Sequence, residues 1–242
     1  MKAMLFAAGL GTRLHPFTQN KPKALVEVAG KPLLQWNLER LSAAGFNEII
    51  VNVHHHAGQL IDFIEQLQYP GLSISISDER DQLLDTGGGL KKAGWFFNGD
   101  APFLVHNVDV LTNMDYRRFC STFEEEQSLA ILAVRKRKTS RYLLFNENNL
   151  LCGWRNTHTG EEIITRRYSA IYPFAFSGIQ LVSPLLPGLI EEEGRFSLID
   201  LYLRLSKTHP VSAFVNDTDN WLDVGKPEQL KKAETLLKQG LL

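Results

Sequence analysis

The residues best suited to chemistry begin at the turn Ala8-Gly9-Leu10-Gly11-Thr12-Arg13-Leu14, which follows an apolar run. Glycines at a strand end let backbone N–H groups come close to an anion, and a neighbouring arginine adds a fixed, fork-shaped positive charge. Together they make a phosphate cradle. The string nearly matches the dinucleotide pattern GxGxxG, but Leu14 stands at the third glycine position and Pro16 would disturb a helix beginning there. A dinucleotide oxidoreductase would also carry an acid at the end of the second strand, where Asn52 and Val53 stand. The phosphate loop GxxxxGK followed by Ser or Thr is absent.

Two acids come next. Asp109 closes the apolar run that starts at Phe103, and Asp223 sits inside Trp221-Leu222-Asp223-Val224-Gly225. A carboxylate at the carboxyl end of a strand in an open α/β sheet lies where ligands bind. The competing role for Asp109 is to cap a turn or helix, which Asn113 or Asp115 would also serve. Neither spacing nor periodicity brings the two acids together. Thr86-Gly87-Gly88-Gly89 reads as a loop whose ordering costs roughly 0.5–1 kcal/mol per glycine. Close approach of a flat base and a flexible hinge account for it equally well. Lys23 alone is a solvated lysine. His54, His55 and His56 at a strand end point to alternating sides and do not converge on one ion. The run Arg135-Lys136-Arg137-Lys138 reads as a solvated turn near Glu124-Glu125-Glu126, and Glu191-Glu192-Glu193 as a solvated helix end.

Read as one string, Leu5 to Leu14, Pro16-Phe17-Thr18, Lys21-Pro22-Lys23-Ala24-Leu25 and Gly30-Lys31-Pro32-Leu33 resemble the signature of the sugar-1-phosphate nucleotidylyltransferases. The resemblance extends through Leu84-Asp85-Thr86-Gly87-Gly88-Gly89, the strand end at Asp109, Phe176-Ser177-Gly178-Ile179 and Trp221 to Gly225, covering most of the chain. It implies a Rossmann-like fold of the nucleotide-diphospho-sugar transferase type. It also implies transfer of a nucleoside monophosphate from a nucleoside triphosphate to a sugar 1-phosphate. Ala8, Gly9, Leu10, Gly11, Thr12 and Arg13 would then hold the nucleotide phosphates, with Gly87 and Gly88 against the base. Lys23, Asn107, Ser177 and Gly178 would face the sugar phosphate, and Asp109 and Asp223 would share one Mg2+. The nucleophile in such a transfer arrives ionised, so the absence of a serine, cysteine or histidine nucleophile motif agrees with it.

The chain departs from the family pattern at three places. Val108 stands where glycine commonly precedes the metal aspartate. Ala24 replaces the second proline of P-K-P-L, as in the phosphocholine cytidylyltransferase branch. The Glu-Lys-Pro motif has no counterpart, although Trp154-Arg155-Asn156 lies near where it would fall. Within the family the chain looks most like the N-acetylmuramate-1-phosphate uridylyltransferases, then the mannose-1-phosphate guanylyltransferases. A phosphocholine-type cytidylyltransferase and a catalytically silent nucleotide-sugar sensor on the same fold are the alternatives.

The elements that must position these residues alternate. Apolar runs at Met1–Ala8, Ile49–Val53, Leu72–Ser77, Phe103–Val110 and Leu129–Val134 read as strands. Helical spacing at Pro32–Ala44 and Leu60–Leu67, and the segment Met114–Glu126, lie between them. This predicts an α/β fold of three layers with a mostly parallel central sheet. From about Arg135 short strands at Tyr142–Phe145, Leu150–Trp154 and Tyr168–Phe176 predict an antiparallel insertion; helices at Ser197–Leu205 and Pro227–Leu237 frame a strand at Val211–Val215. One domain is expected, with residues 1–135 on the nucleotide side, 136–215 on the sugar side and 216–242 closing the site with the second acid. The balance of 26 Lys+Arg against 27 Asp+Glu provides no field that would draw the chain to nucleic acid or an anionic membrane. Two cysteines form no disulfide framework, and no apolar run reaches the ~20 residues of a membrane span. A cytoplasmic enzyme is the expectation.

Overall fold

The first strand, β1 (Lys2–Phe6), buries both faces: Ala3 and Leu5 pack to one side and Met4 to the other, each fully buried. The computed structural model describes residues 1–126 and 128–242, with the backbone only at 124–126. After β1 come β2 (Glu27–Val28), β3 (Lys31–Pro32), α1 (Leu33–Ala43), β4 (Glu48–Val53), α2 (Ala57–Gln66), β5 (Ser73–Asp78) and α3 (Asp85–Lys92). They are followed by β6 (Phe103–Asn107), β7 (Val110–Thr112), α4 (Tyr116–Glu126), β8 (Ala130–Arg135), β9 (Arg141–Phe145), β10 (Leu151–Asn156) and β11 (Glu162–Ile164). The chain continues through β12 (Tyr172–Val182), α5 (Leu198–Leu205), β13 (Val211–Val215), β14 (Trp221–Asp223) and α6 (Pro227–Lys238).

Strands β5, β4, β1 and β6 are parallel, and β12 joins β6 antiparallel. Strands β8 and β13 are parallel to each other and attach to the same sheet through β12, while β9, β10 and β11 extend it as the antiparallel insertion. Helices α1, α2 and α4 cover one face, with Leu34, Leu38, Leu60 and Phe119 in its core. Helices α3 and α5 cover the other through Leu90, Leu201 and Tyr202. The three layers therefore follow from the alternation of apolar residues along β1, β4 and β6. A third cluster joins Leu14, Val26, Leu111, Leu222 and Leu230, so that α6 locks the late strand β14 onto the early loop.

Several expectations are corrected. The apolar run at 103–110 is two strands, because Val108 and Asp109 form a turn held by Val108 N–H donating to the Phe6 carbonyl (3.1 Å) and by Asn37 Nδ2 donating to the Val108 carbonyl (2.9 Å). The strand expected at Tyr168–Phe176 starts later and runs through Ser177 and Gly178 to Val182, with a bulge between Phe176 and Gln180. Strands β2, β3 and β11 carry too few apolar residues to signal themselves. Glu191–Glu193 is not a helix end: Glu192 takes Arg204 in a two-pronged ion pair (2.5 and 2.9 Å) and Glu193 takes Lys91 (2.6 Å). The basic run is not a solvated turn either. Only Lys136 and Lys138 are exposed, while Arg135 and Arg137 lie half-buried over the Trp221 ring, 5.0 and 4.9 Å from its centroid. The Glu124–Glu126 side chains expected near that run lie outside the described residues. No described helix is long and apolar enough to cross a membrane.

Candidate active site

Asp109 and Asp223 are 114 positions apart in sequence and adjacent in space. The short antiparallel ladder of β7 and β14 joins them: Asp223 pairs with Val110 in register, and the Val224 N–H donates to the Asp109 carbonyl at 2.8 Å. Capping of α4 falls to Asp115, whose Oδ1 accepts the N–H groups of Arg117 and Arg118 (both 3.0 Å), which leaves Asp109 to the site. Burial raises the Asp223 carboxyl above the usual carboxylate range, with the Asp109 carboxylate adding to the rise; Lys23, Arg13 and Arg137 oppose it. Asp223 Oδ1 is buried and has no hydrogen-bond partner among the described residues. A buried carboxylate oxygen without a donor is costly, and a small divalent cation relieves that cost. Two carboxylates beside an anion-binding loop are the donor set that Mg2+ takes when phosphate oxygens and water complete its shell.

Cations surround the pair. Lys23 is 9% exposed and forms an ion pair with Asp109. It sits in a single 3-10 turn after Pro22, and the Gly11 turn packs on its side chain: a Cβ at Gly11 would lie 3.2 Å from the Lys23 Cβ and 3.0 Å from Thr18 Cγ2. Gly11 also has φ +67°, so glycine is required there twice over. The Arg13 guanidinium and the other acid flank Gly225, where a Cβ would lie 2.8 Å from Asp223 Oδ1 and 3.3 Å from Arg13 Nη2.

Among the described residues no protein acceptor meets the amides of Gly9, Leu10, Gly11 and Thr12, and a Cβ at Gly9 would touch nothing within 4 Å. The two amides before them are occupied, since Asn52 Oδ1 accepts from Ala7 (2.7 Å) and Ala8 (3.3 Å). Asn52 in turn donates to the fully buried Glu79 at 2.7 Å, and burial raises that carboxyl. A chain of polar side chains thus ties the first turn to the end of β5 while its next four amides stay available. These residues line one cleft of about 380 Å³ that also takes in Lys23, Asp85, Thr86, Asn107, Asp109 and Gly225.

Gly87 and Gly88 lie elsewhere. They occupy the first turn of α3 rather than a loop, and both are buried. A Cβ at Gly87 would overlap the Phe196 ring, and one at Gly88 the Gly194 carbonyl oxygen. Their amides point to the Phe196 carbonyl, at 2.9 Å for Gly87. The glycines are there because α3 packs against the 194–196 turn, and the cleft is lined instead by Asp85 and Thr86. On the opposite side Gly178 (φ +76°) packs on Asn107, where a Cβ would lie 2.8 Å from Asn107 Nδ2. Ser177 is buried with its hydroxyl unpartnered, and its carbonyl accepts the Trp221 indole N–H at 2.8 Å.

The structure thus brings Arg13, Lys23, Asp109, Asp223 and the Ala8–Thr12 turn together, sets Asn107, Ser177 and Gly178 beside them, and takes Gly87 and Gly88 out of the cleft wall. Asn52, Glu79, Gly225 and Arg137 are the residues that sequence reasoning left without a role. Gly225 alone carried a signal, as the glycine two positions after the second acid. The histidine triplet is dispersed: His54 Nδ1 donates to the Glu79 carbonyl (2.7 Å), and the His55 and His56 rings lie tilted at 54° with centroids 4.0 Å apart.

A three-layer α/β sheet with an acid pair and an open-amide glycine turn at its carboxyl edge defines a class, and residues 2–146 match the nucleotidyl transferase family. The chain belongs to that family and is a nucleotidyltransferase. It is 34% identical to the N-acetylmuramate alpha-1-phosphate uridylyltransferase of Neisseria meningitidis serogroup B, over 98% of each chain. It is 33% identical to the protein of that name from Caulobacter vibrioides, over 98% of this chain and 97% of the relative. The solved UDP-glucose pyrophosphorylase from Acinetobacter baumanii superposes with a TM-score of 0.80 over 99% of this chain and 95% of that one; at 20% identity it speaks for the fold.

Proposed function

We propose that this chain transfers a nucleoside monophosphate from a nucleoside triphosphate to a sugar 1-phosphate in a Mg2+-dependent reaction. The single observation that carries the reading is the convergence of Asp109 and Asp223 beside unpaired loop amides and Arg13. An oxygen of the sugar phosphate attacks the α-phosphorus, a P–O bond forms, and the bond to the β-phosphate oxygen breaks, with pyrophosphate carrying away the electron pair. No protein base is needed, because the attacking oxygen is already ionised; the work is positioning and charge neutralisation. The free amides of Gly9 to Thr12 and the Arg13 guanidinium receive the departing phosphates. Lys23, preset by its ion pair with Asp109, neutralises the α-phosphate and the incoming phosphate. Asp109 and Asp223 hold the metal ion, which when bound supplies positive charge to the phosphate oxygens. Uridine triphosphate with N-acetylmuramate 1-phosphate is the first substrate pair to try, on the strength of the two relatives at 33% and 34% identity.

The test is pyrophosphate release with Mg2+, each common nucleoside triphosphate, and a panel of sugar 1-phosphates with phosphocholine. Asp109→Ala and Asp223→Ala each lower turnover by about 1,000-fold or more, as expected for removing a charge that the transition state requires; Asp223→Ala leaves the thermal transition in place, whereas Asp109→Ala also lowers it because the buried Lys23 loses its partner. Near-normal rates in either variant overturn the metal assignment, and silence across the panel favours a sensor.

A further inference from the structure

The basic run after β8 holds two arginines that share one partner and differ in what else they face. Both guanidinium groups lie over the Trp221 ring, and both Nε atoms are buried without a hydrogen-bond partner. Among the described residues neither arginine has a carboxylate within ion-pair distance. Arg135 is turned to the tail of the 216–220 segment, donating to the Asp219 carbonyl at 3.4 Å. Arg137 donates to the Phe176 carbonyl at 3.2 Å, next to the bulge that carries Ser177 and Gly178, and its charge faces Asp223. A half-buried guanidinium without a counter-ion is expensive to keep. Its neighbours, Ser177 Oγ and Asp223 Oδ1, are also buried and unpartnered. The Asp223 oxygen belongs to the cation site, whereas Arg137 Nε and Ser177 Oγ are unfilled donors on two segments beside the acid pair, and donors so placed suit an anion.

The cation at the position where sequence reasoning looked is spent elsewhere. Arg155 on β10 pairs with Glu162 on β11, in register across the insertion. We infer that Arg137 is the guanidinium that binds the phosphate of the acceptor, a sugar phosphate monoester, using donors that Phe176 leaves free. The inference rests on the transferase reading. Fork-shaped donors suit a phosphate monoester, and the Trp221 face fixes the plane of the fork before the ligand arrives.

The experiment compares Arg137→Gln, Arg137→Lys and Arg135→Gln with the unmodified chain, using uridine triphosphate and N-acetylmuramate 1-phosphate. Arg137→Gln raises KM for the sugar phosphate by about 10-fold or more, with KM for the nucleotide within about twofold and the melting temperature unmoved. Arg137→Lys recovers part of the loss, because the charge returns without the fork. Arg135→Gln, which removes the other half of the same stack, leaves both KM values in place. Calorimetric binding of N-acetylmuramate 1-phosphate without nucleotide falls in Arg137→Gln alone. An unchanged acceptor KM in Arg137→Gln, an equal rise for both substrates, an equal effect of Arg135→Gln, or no acceptor binding to the unmodified chain overturns the inference. An unmodified chain that binds the acceptor through Arg137 but releases no pyrophosphate overturns the transferase reading instead.

Discussion

The chain has two glycine-rich segments, and they do opposite things. At Gly9 the space a side chain would fill is open, and the neighbouring amides have no partner among the described residues. At Gly87 and Gly88 the same space is taken by Phe196 and by the Gly194 carbonyl. One segment omits side chains to make room for a ligand, the other to let a helix seat against a turn. Even Gly89 has its own reason, since a Cβ there would lie 2.8 Å from Glu79 Oε1 and 3.1 Å from Asn52 Nδ2. A glycine in sequence states only that a Cβ is unwelcome; what excludes it at Gly87 and Gly88 lies more than a hundred positions away.

Substitution separates the two cases. Gly9→Ala has the larger consequence for activity: the methyl group enters the ligand space and lowers kcat/KM by about 100-fold, as a displacement of about 1 Å does at a positioned phosphate, while the thermal transition stays in place. A stability loss instead would make the two segments alike. Gly88→Ala does the reverse, costing about 1–3 kcal/mol by overpacking and lowering the melting temperature by about 2–4 °C per kcal/mol in a chain of this size. Activity per folded molecule, measured well below the transition, is retained; its loss would return Gly88 to the cleft wall.

The smallest effect keeps loss of fold distinct from loss of site at low pH. His106 on β6 is fully buried, donates from Nδ1 to the Asn107 carbonyl (2.9 Å) and accepts at Nε2 from the Tyr116 hydroxyl (3.0 Å). Burial lowers its pKa to about 4, from an ordinary value of 6.5. Between those values the unfolded chain holds the extra proton, so stability is complete above pH 6.5 and declines by about 1 kcal/mol per pH unit on acidification. Denaturant titrations at pH 6.5 and 5.5 measure it. His106→Gln keeps a donor and an acceptor but does not titrate, and it removes that part of the slope.

The strand and helix order was legible because β1, β4 and β6 are buried on both faces, and α1 carries leucines at helical spacing behind Pro32. The helical state of Asp85–Lys92 was hidden because three consecutive glycines have poor helix propensity, and the stabilising contacts come from Phe196 and α5. Each site acid was visible singly at a strand end, but their meeting depends on β7 and β14 pairing across more than a hundred positions, which no local pattern encodes. The arginines after β8 looked like solvated charge because alternation in a four-residue basic run does not reveal that Trp221 waits beneath every second residue.

The ladder between β7 and β14 also sets an order of events in the cell. As the polypeptide is synthesised, Asp109 emerges 114 residues before its companion, which leaves the ribosome only with β14. A chain that lacks residues 221–223 has one acid of the pair and not the other. Competence arrives late and at once, when residues 221–223 dock on 110–112 and α6 closes behind them.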